Sequence, residues 1–179
     1  SAIREAGVHY VESEATFATA DTLRTADGET YRARRVIVAT GARPLVPDLP
    51  GAEHALVSDD LFTLEALPER IVMIGGGYIA VEFACLLRRL GVEVAIFESS
   101  ERILDGFEPE IVERLQKRMR EDGIEIRTDA KAARIEKGDA DGELSLELDD
   151  DSRHAGFDAV VLVVGRAPNT DDIGLESIG

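Results

Sequence analysis

Short β-branched runs alternating with amphipathic helical stretches predict an α/β fold built on a parallel sheet, and three observations carry that prediction. The first is Ile71-Val-Met-Ile-Gly-Gly-Gly-Tyr-Ile-Ala80, an apolar strand that runs straight into a glycine turn. A strand apolar on both faces belongs inside a parallel sheet covered on each side. The second is a helix-then-strand pattern directly after the turn. Ile79, Phe83, Leu86, Leu87 and Leu90 recur at helical spacing, Gly91 can cap the helix, and Val92, Val94, Ala95, Ile96 and Phe97 read as the next strand. The third is the end of this region, where a β-meander over Ala132 to Lys137 and Glu143 to Leu148 leads into a buried strand from Phe157 to Val164. Strands alternating with helices, then a meander returning to the sheet, describe a three-layer Rossmann-type domain.

Taken in order, residues 8–40 read as a separate β-meander: His9 to Val11, Thr16 to Thr19, a turn over Ala26 to Glu29, Thr30 to Ala33, and Val36 to Ala39. Gly41 to Pro44, Pro47 and Pro50-Gly51 make a stiff crossing that looks like a linker. Ser58 suits the N-cap of a short helix carrying Leu61, Phe62, Leu64 and Leu67, which Pro68 stops. After Phe97 a loop leads to Glu108 and to Pro109 at the first position of a helix that ends at Gly123. Its apolar face is Ile111, Val112, Leu115 and Met119, and Ile124 and Ile126 give a third strand. A turn from Gly138 to Gly142 joins the first two strands of the second meander.

The glycine turn carries a specific chemical expectation. Gly75 opens it, Gly77 lacks the side chain that would keep a pyrophosphate from the backbone, and Ala80 fills the third position of G-x-G-x-x-G/A, where a small residue lets helix and strand pack closely. The phosphates then sit on free N–H groups at the positive end of the helix. Glu98 lies 98 − 75 = 23 residues beyond the first glycine, close to the roughly 20-residue spacing at which an acid meets a ribose 2′-hydroxyl. The pattern predicts a dinucleotide-binding domain.

Composition narrows the rest. The net charge of −16 repels nucleic acid and anionic membrane, so neither is an expected partner. No apolar run approaches the ~20 residues that cross a bilayer and no basic-then-apolar leader opens the chain, so a cytoplasmic protein is expected. Lys117, Lys131 and Lys137 are the only lysines; arginine supplies the other seventeen of 20 positive charges. A salt-rich cytoplasm and an arginine-favouring lineage account for that balance equally well. Cys85, the single cysteine, excludes an internal disulfide and reads as a small packing residue within its helix. Asp149-Asp150-Asp151 reads as a solvated turn without a nearby histidine, so no metal site is expected. His9, His54 and His154 are scattered and adjoin no serine or cysteine in a nucleophile motif, leaving no autonomous catalytic constellation.

Three motifs in one order become specific together. Val38-Ala-Thr-Gly-Ala-Arg-Pro44, Gly75-Gly-Gly-Tyr-Ile-Ala-Val-Glu82 and Val164-Gly-Arg-Ala-Pro-Asn-Thr170 resemble the pyridine nucleotide-disulfide oxidoreductases over essentially the whole chain. The tyrosine form of the middle motif is most similar to the glutathione reductase branch, with dihydrolipoamide dehydrogenase and mercuric reductase also near. The resemblance implies an NAD-binding domain inserted into a discontinuous FAD domain. On that basis residues 1–50 are a partial FAD-domain meander and crossover, 51–165 the NAD-binding domain, and 166–179 the return crossover.

The resemblance also assigns roles. For NAD it implies Gly75, Gly76, Gly77, Tyr78, Ile79, Ala80, Glu82, Glu98, Ala132 and Gly165, and for FAD it implies Thr40, Gly41 and Ala42. Tyr78 matches the aromatic that covers the flavin until nicotinamide displaces it, and Glu82 the acid near the nicotinamide carboxamide. Ala132 falls on the adenine side, and Gly165 approaches the nicotinamide side through its backbone. NADPH-using members carry arginines where this chain has Ser99 and Asp105, while Ala80 is the small residue common in that branch. A 2′-phosphate carries about −1.5 to −2 charges. One unit pair ~5 Å apart costs roughly 3 kcal/mol at an effective dielectric of 20, so NADH is the expected cofactor.

The whole enzyme implied is a homodimer that passes hydride from NADH to FAD, on to a redox disulfide, and then to a small-molecule disulfide substrate. Its CxxxxC pair is absent from these residues, which alone should bind NADH without turnover. The alternatives are an NADH-dependent flavin reductase without a redox disulfide, of the NADH oxidase or ferredoxin reductase type, and a non-catalytic NAD-binding module.

Overall fold

A computed structural model describes residues 2–138 and 142–178. The chain divides into two compact units, one of residues 1–42 and 168–179, the other of 43–167. The passage from Arg43 to Gly51, expected as a linker, belongs to the second unit, where Ile135 N–H donates to the Pro50 carbonyl at 2.9 Å.

In the first unit a short helix α1 (Ala2–Glu5) precedes an antiparallel meander of β1 (Ala15–Thr19), β2 (Thr22–Thr25) and β3 (Thr30–Arg32). Asp21 ties it together, accepting from Arg32 Nε (2.7 Å), Thr19 Oγ1 and Thr22 Oγ1 (both 2.9 Å). Arg32 and the two hydroxyls hold its carboxyl down at about 2. Two expected strands are absent: His9 to Val11 and Val36 to Ala39 are irregular. Both runs carry β-formers, but no strand among the described residues pairs with them, and Ile37 is 89% exposed. β-propensity without a neighbour to complete the ladder does not make a strand.

Where the chain passes between the units, β4 (Ala42–Pro44) pairs with β13 (Arg166–Pro168). The second unit then supplies β5 (Leu56–Val57), β6 (Arg70–Ile74), α2 (Tyr78–Arg89), β7 (Glu93–Phe97), α3 (Pro109–Glu121) and β8 (Glu125–Arg127). The meander strands β9 (Ala132–Lys137), β10 (Leu144–Leu148) and β11 (Arg153–Phe157) come next, and β12 (Ala159–Leu162) returns to the main sheet. That sheet is parallel throughout, in the order β5-β12-β6-β7-β8.

The alternation of β6 sorts its side chains between two cores. Ile71 and Met73 face a helical layer with Ala84, Leu87, Val112 and Met119, whereas Val72 and Ile74 face the β9–β11 meander with Leu146, Phe157 and Leu148. Each face is dry, which explains why the run is continuously apolar rather than alternating. The result is the expected three-layer α/β architecture.

Several details differ from the sequence pattern for physical reasons. α2 buries Ala80, Val81, Ala84 and Leu87, while Leu86 and Leu90 are 52% and 56% exposed. Small residues let this helix lie close to the sheet, so the stripe of large residues is rotated away from the core. In α3, Val112 and Met119 are buried but Ile111 is exposed. The helix expected from Ser58 is a single 3₁₀ turn over Asp60–Phe62; its cap residue is Asp59, and Ser58 is buried instead.

The single strand expected from Phe157 to Val164 is split. Asp158 accepts from Arg70 N–H (2.7 Å) and returns its own N–H to the Arg70 carbonyl (2.9 Å), which turns β11 into β12. The polar sequence of β11, Arg153-His-Ala-Gly-Phe157, hides it from the hydrophobic pattern. The turn expected at Gly138 to Gly142 includes residues 139–141, which lie outside the described residues.

Candidate functional site

In an open parallel sheet, the crevice lies beyond the carboxyl ends of strands at the point where successive connections leave in opposite directions. Here β6 is flanked by β7, reached through α2, and by β12, reached last. At this position a groove of about 690 Å³ opens, lined by the glycine turn, Tyr78, Ile79, Glu98, Ser99, Ala130 to Ala132 and Val163 to Arg166.

Gly75 continues β6 by donating to the Phe97 carbonyl (2.8 Å) and then turns with φ +108. A Cβ there would also stand 2.7 Å from the Val163 carbonyl oxygen, so glycine is required twice over. Gly76 is held on both sides of its backbone: its N–H donates to Glu98 Oε2 (2.6 Å), and its carbonyl accepts from Leu104 N–H (2.8 Å). A Cβ at Gly76 would meet Ile103 Cγ2 at 2.8 Å. Gly77 differs from both, because a Cβ on it would meet nothing within 4 Å. Its lack of a side chain relieves no contact with the protein and leaves the groove open at this point.

Gly77 is also the N-cap of α2, and no side chain caps the helix. The first N–H groups of a helix have no intrahelical partner and carry the positive end of its dipole. Ala80 lies fully buried under this turn, which keeps the helix close to the strand.

Across the turn stands Glu98. Partial burial would push its carboxyl up, but the N–H groups of Ser100 and Gly76 and the hydroxyls of Ser100 and Ser99 outweigh burial and hold it below the ordinary carboxylate value. Oε1 accepts from Ser100 N–H (2.7 Å) and Ser99 Oγ (3.1 Å), and Oε2 accepts from Gly76 N–H (2.6 Å).

The groove brings together Gly75, Gly76, Gly77, Tyr78, Ile79, Glu98, Ala132 and Gly165 from the residues expected by sequence. Tyr78 is 58% exposed at the first helical position; Glu82, four residues on, is exposed on the same helical face but outside the groove lining. Gly165 turns with φ +137 and accepts from Leu45 N–H at 2.9 Å. Thr40, Gly41 and Ala42 belong to the other unit. There Asn169 donates its N–H to the Gly41 carbonyl (2.9 Å) and Nδ2–H to the Thr40 carbonyl (3.2 Å), fixing a turn in which Gly41 has φ +79.

Lys131 and the Pro47-Asp-Leu49 segment also line the groove, although no sequence motif marks them. Ile103 and Leu104 are equally unmarked, and they brace Gly76 from behind. For Lys131 the available signal is its place beside Ala132; Ile103 and Leu104 sit in a loop whose apolar residues have no periodicity. Among the described residues no group of three histidines, cysteines or acids could hold a metal ion, and no helix is long and apolar enough to cross a membrane.

The parallel sheet, the uncapped helix start and the acid closing the next strand are those of the doubly wound α/β class. The particular family emerges from comparison with known proteins: residues 2–179 match the model of the pyridine nucleotide-disulphide oxidoreductases, and the chain belongs to that family. It is 38% identical over 177 residues to the chloroplastic/mitochondrial glutathione reductase of Pisum sativum, covering 99% of this chain and 32% of that protein. It is 35% identical over 176 residues to the dihydrolipoyl dehydrogenase of Staphylococcus aureus, covering 96% and 38%. Among solved structures it resembles the HOCl-induced flavoprotein disulfide reductase RclA from Escherichia coli, with TM-score 0.82 and 26% identity over 96% of this chain and 39% of that one. The chain thus spans about a third of the length of the first of these relatives and under two fifths of the others.

Proposed function

We propose that this chain is the NADH-binding part of an FAD-dependent disulfide oxidoreductase of the glutathione reductase type. The observation that carries the reading is the uncapped start of α2 facing a groove whose far wall holds an ionised carboxylate. The N–H groups at the start of α2 would hold the pyrophosphate, with Gly77 leaving room for it. Glu98 would accept from the adenosine ribose hydroxyls. Ala132 would border the adenine, and Gly165 the nicotinamide side.

NADH held there would supply a hydride for transfer to the FAD of the whole enzyme. The residues of this chain position that donor. Tyr78, exposed at the groove mouth, would cover the flavin until nicotinamide displaces it, and Glu82 would orient the carboxamide. Thr40, Gly41 and Ala42 would contact FAD through the turn that Asn169 braces. With Cys85 as the one cysteine, the redox disulfide would come from other residues of the whole enzyme, as would the disulfide substrate site and the homodimer contact.

Preference for NADH over NADPH rests on charge. Ser99 lines the groove without a charge, and Asp105 is an acid engaged with Arg102 (3.3 Å) and Gly106 N–H (3.0 Å). Glu98 keeps its negative charge at the place a 2′-phosphate would approach. Equilibrium titration of the protein with NADH and NADPH tests the reading. Tighter binding of NADH is the expected result, and tighter binding of NADPH contradicts the preference.

A further inference from the structure

Four charged residues line the groove: the acids Asp48 and Glu98 and the cations Lys131 and Arg166. Arg166 is committed elsewhere, donating to Asp59 Oδ1 at 3.0 Å and to Ser58 Oγ at 3.5 Å. Lys131 is different. Its backbone is fixed from two sides, since the adjoining Ala130 N–H donates to the Glu98 carbonyl (2.9 Å) and the Lys131 carbonyl accepts from Asp149 N–H (3.0 Å). Its side chain is exposed and has no ion pair among the described residues, whereas Arg32, Arg118, Arg127 and Arg153 each hold an acid within 3.2 Å. Lys131 thus adds an exposed cation to the lining of the groove that holds Glu98 and Ser99, one residue beyond the Ala130 that is bonded to Glu98.

We propose that Lys131 is a specificity-determining residue whose ammonium receives the 2′-phosphate of NADPH, so that the groove discriminates against that cofactor only in part. The assignment rests on the groove being a dinucleotide site. Glu98 repels the 2′-phosphate while Lys131 attracts it, and the net preference is the difference between the two. Neither charge affects the ribose hydroxyl of NADH as strongly, because that group is neutral.

The test compares the dissociation constants of NADH and NADPH for the wild-type protein, Lys131→Gln and Lys131→Arg, with adenosine 2′,5′-bisphosphate and AMP as probes of the adenosine end alone. Lys131→Gln should weaken NADPH and the bisphosphate roughly fivefold or more, the loss expected for an exposed ion pair with a doubly charged phosphate, while NADH and AMP change by less than about twofold. Lys131→Arg should restore most of the loss. An equal loss for all four ligands, or no loss for any, overturns the assignment of Lys131 while wild-type NADH binding leaves the groove reading intact. A wild-type protein that binds none of the four overturns both.

Discussion

Replacing Glu98 with glutamine keeps the shape of the side chain and removes its charge, and the structure gives two separable consequences. The first is mechanical. Gly76 N–H donates to Oε2 and Ser100 N–H to Oε1, so both ends of the side chain must accept. An amide can accept at one end only, and its NH₂ then faces an N–H donor. Leaving one partly buried donor unsatisfied costs about 1–3 kcal/mol. For a chain of this size that lowers the melting temperature by roughly 2–4 °C per kcal/mol. The second consequence is electrostatic. Unit charges ~5 Å apart interact by roughly 3 kcal/mol at an effective dielectric of 20 and about 0.8 at 80. The partly exposed position of Glu98 lies between these limits, so about 1–2 kcal/mol of repulsion toward a 2′-phosphate disappears, a factor of roughly 5–30 in binding ratio. Calorimetric titration of Glu98→Gln with NADH and NADPH, beside thermal melts, reads both effects. A lowered melting temperature with an unchanged NADH-to-NADPH ratio would refute the electrostatic reasoning and leave Glu98 as a brace for the glycine turn alone.

Neighbouring residues give further expected outcomes. Gly77→Ala should leave the melting temperature nearly unchanged, since its Cβ meets nothing within 4 Å, yet weaken NADH at least about tenfold by crowding the pyrophosphate. Gly76→Ala should instead destabilise the fold by about 1–3 kcal/mol through its contact with Ile103, measurable by denaturant unfolding. Ser99→Arg should shift the binding ratio toward NADPH by placing a cation at the ribose end, and an unmoved ratio in the same titration would contradict that placement. His154 packs edge-on against Phe97 at 4.9 Å, and burial first, then the nearby Arg127, pushes its pKa below the ordinary 6.5. The unfolded chain therefore takes up its proton first, so stability should decline as pH falls from about 6.5 through the folded-state value. His154→Phe should flatten that part of a melting-temperature profile.

The parallel sheet is legible in the sequence because β6 and β7 are apolar on both faces, a pattern that only a covered central strand needs. The glycine turn is legible for a related reason: at Gly75 and Gly76 a Cβ would come within 2.8 Å of a neighbouring atom. Features set by contacts distant in sequence are not. α2 packs with alanines, so its largest apolar residues mislead about which face is inside. β11 is polar and becomes a strand because β10 offers a ladder and Asp158 locks onto Arg70 across 88 residues. Val36 to Ala39 has the composition of a strand and lacks the neighbour. In the site, the spacing of Glu98 marks the residue but not its bond to Gly76, because that bond depends on how closely two strand ends approach. Lys131 is hidden by its loop position beyond the end of β8.

Whether the groove at the start of α2 holds the dinucleotide is tested most directly by backbone amide chemical shifts recorded during an NADH titration. A dinucleotide seated there gives saturable shifts concentrated at Gly75 to Ala80, at Glu98 to Ser100, and at Ala132 and Gly165, with the residues of β1 to β3 unmoved. Saturable shifts centred elsewhere, or none at millimolar NADH, would contradict it.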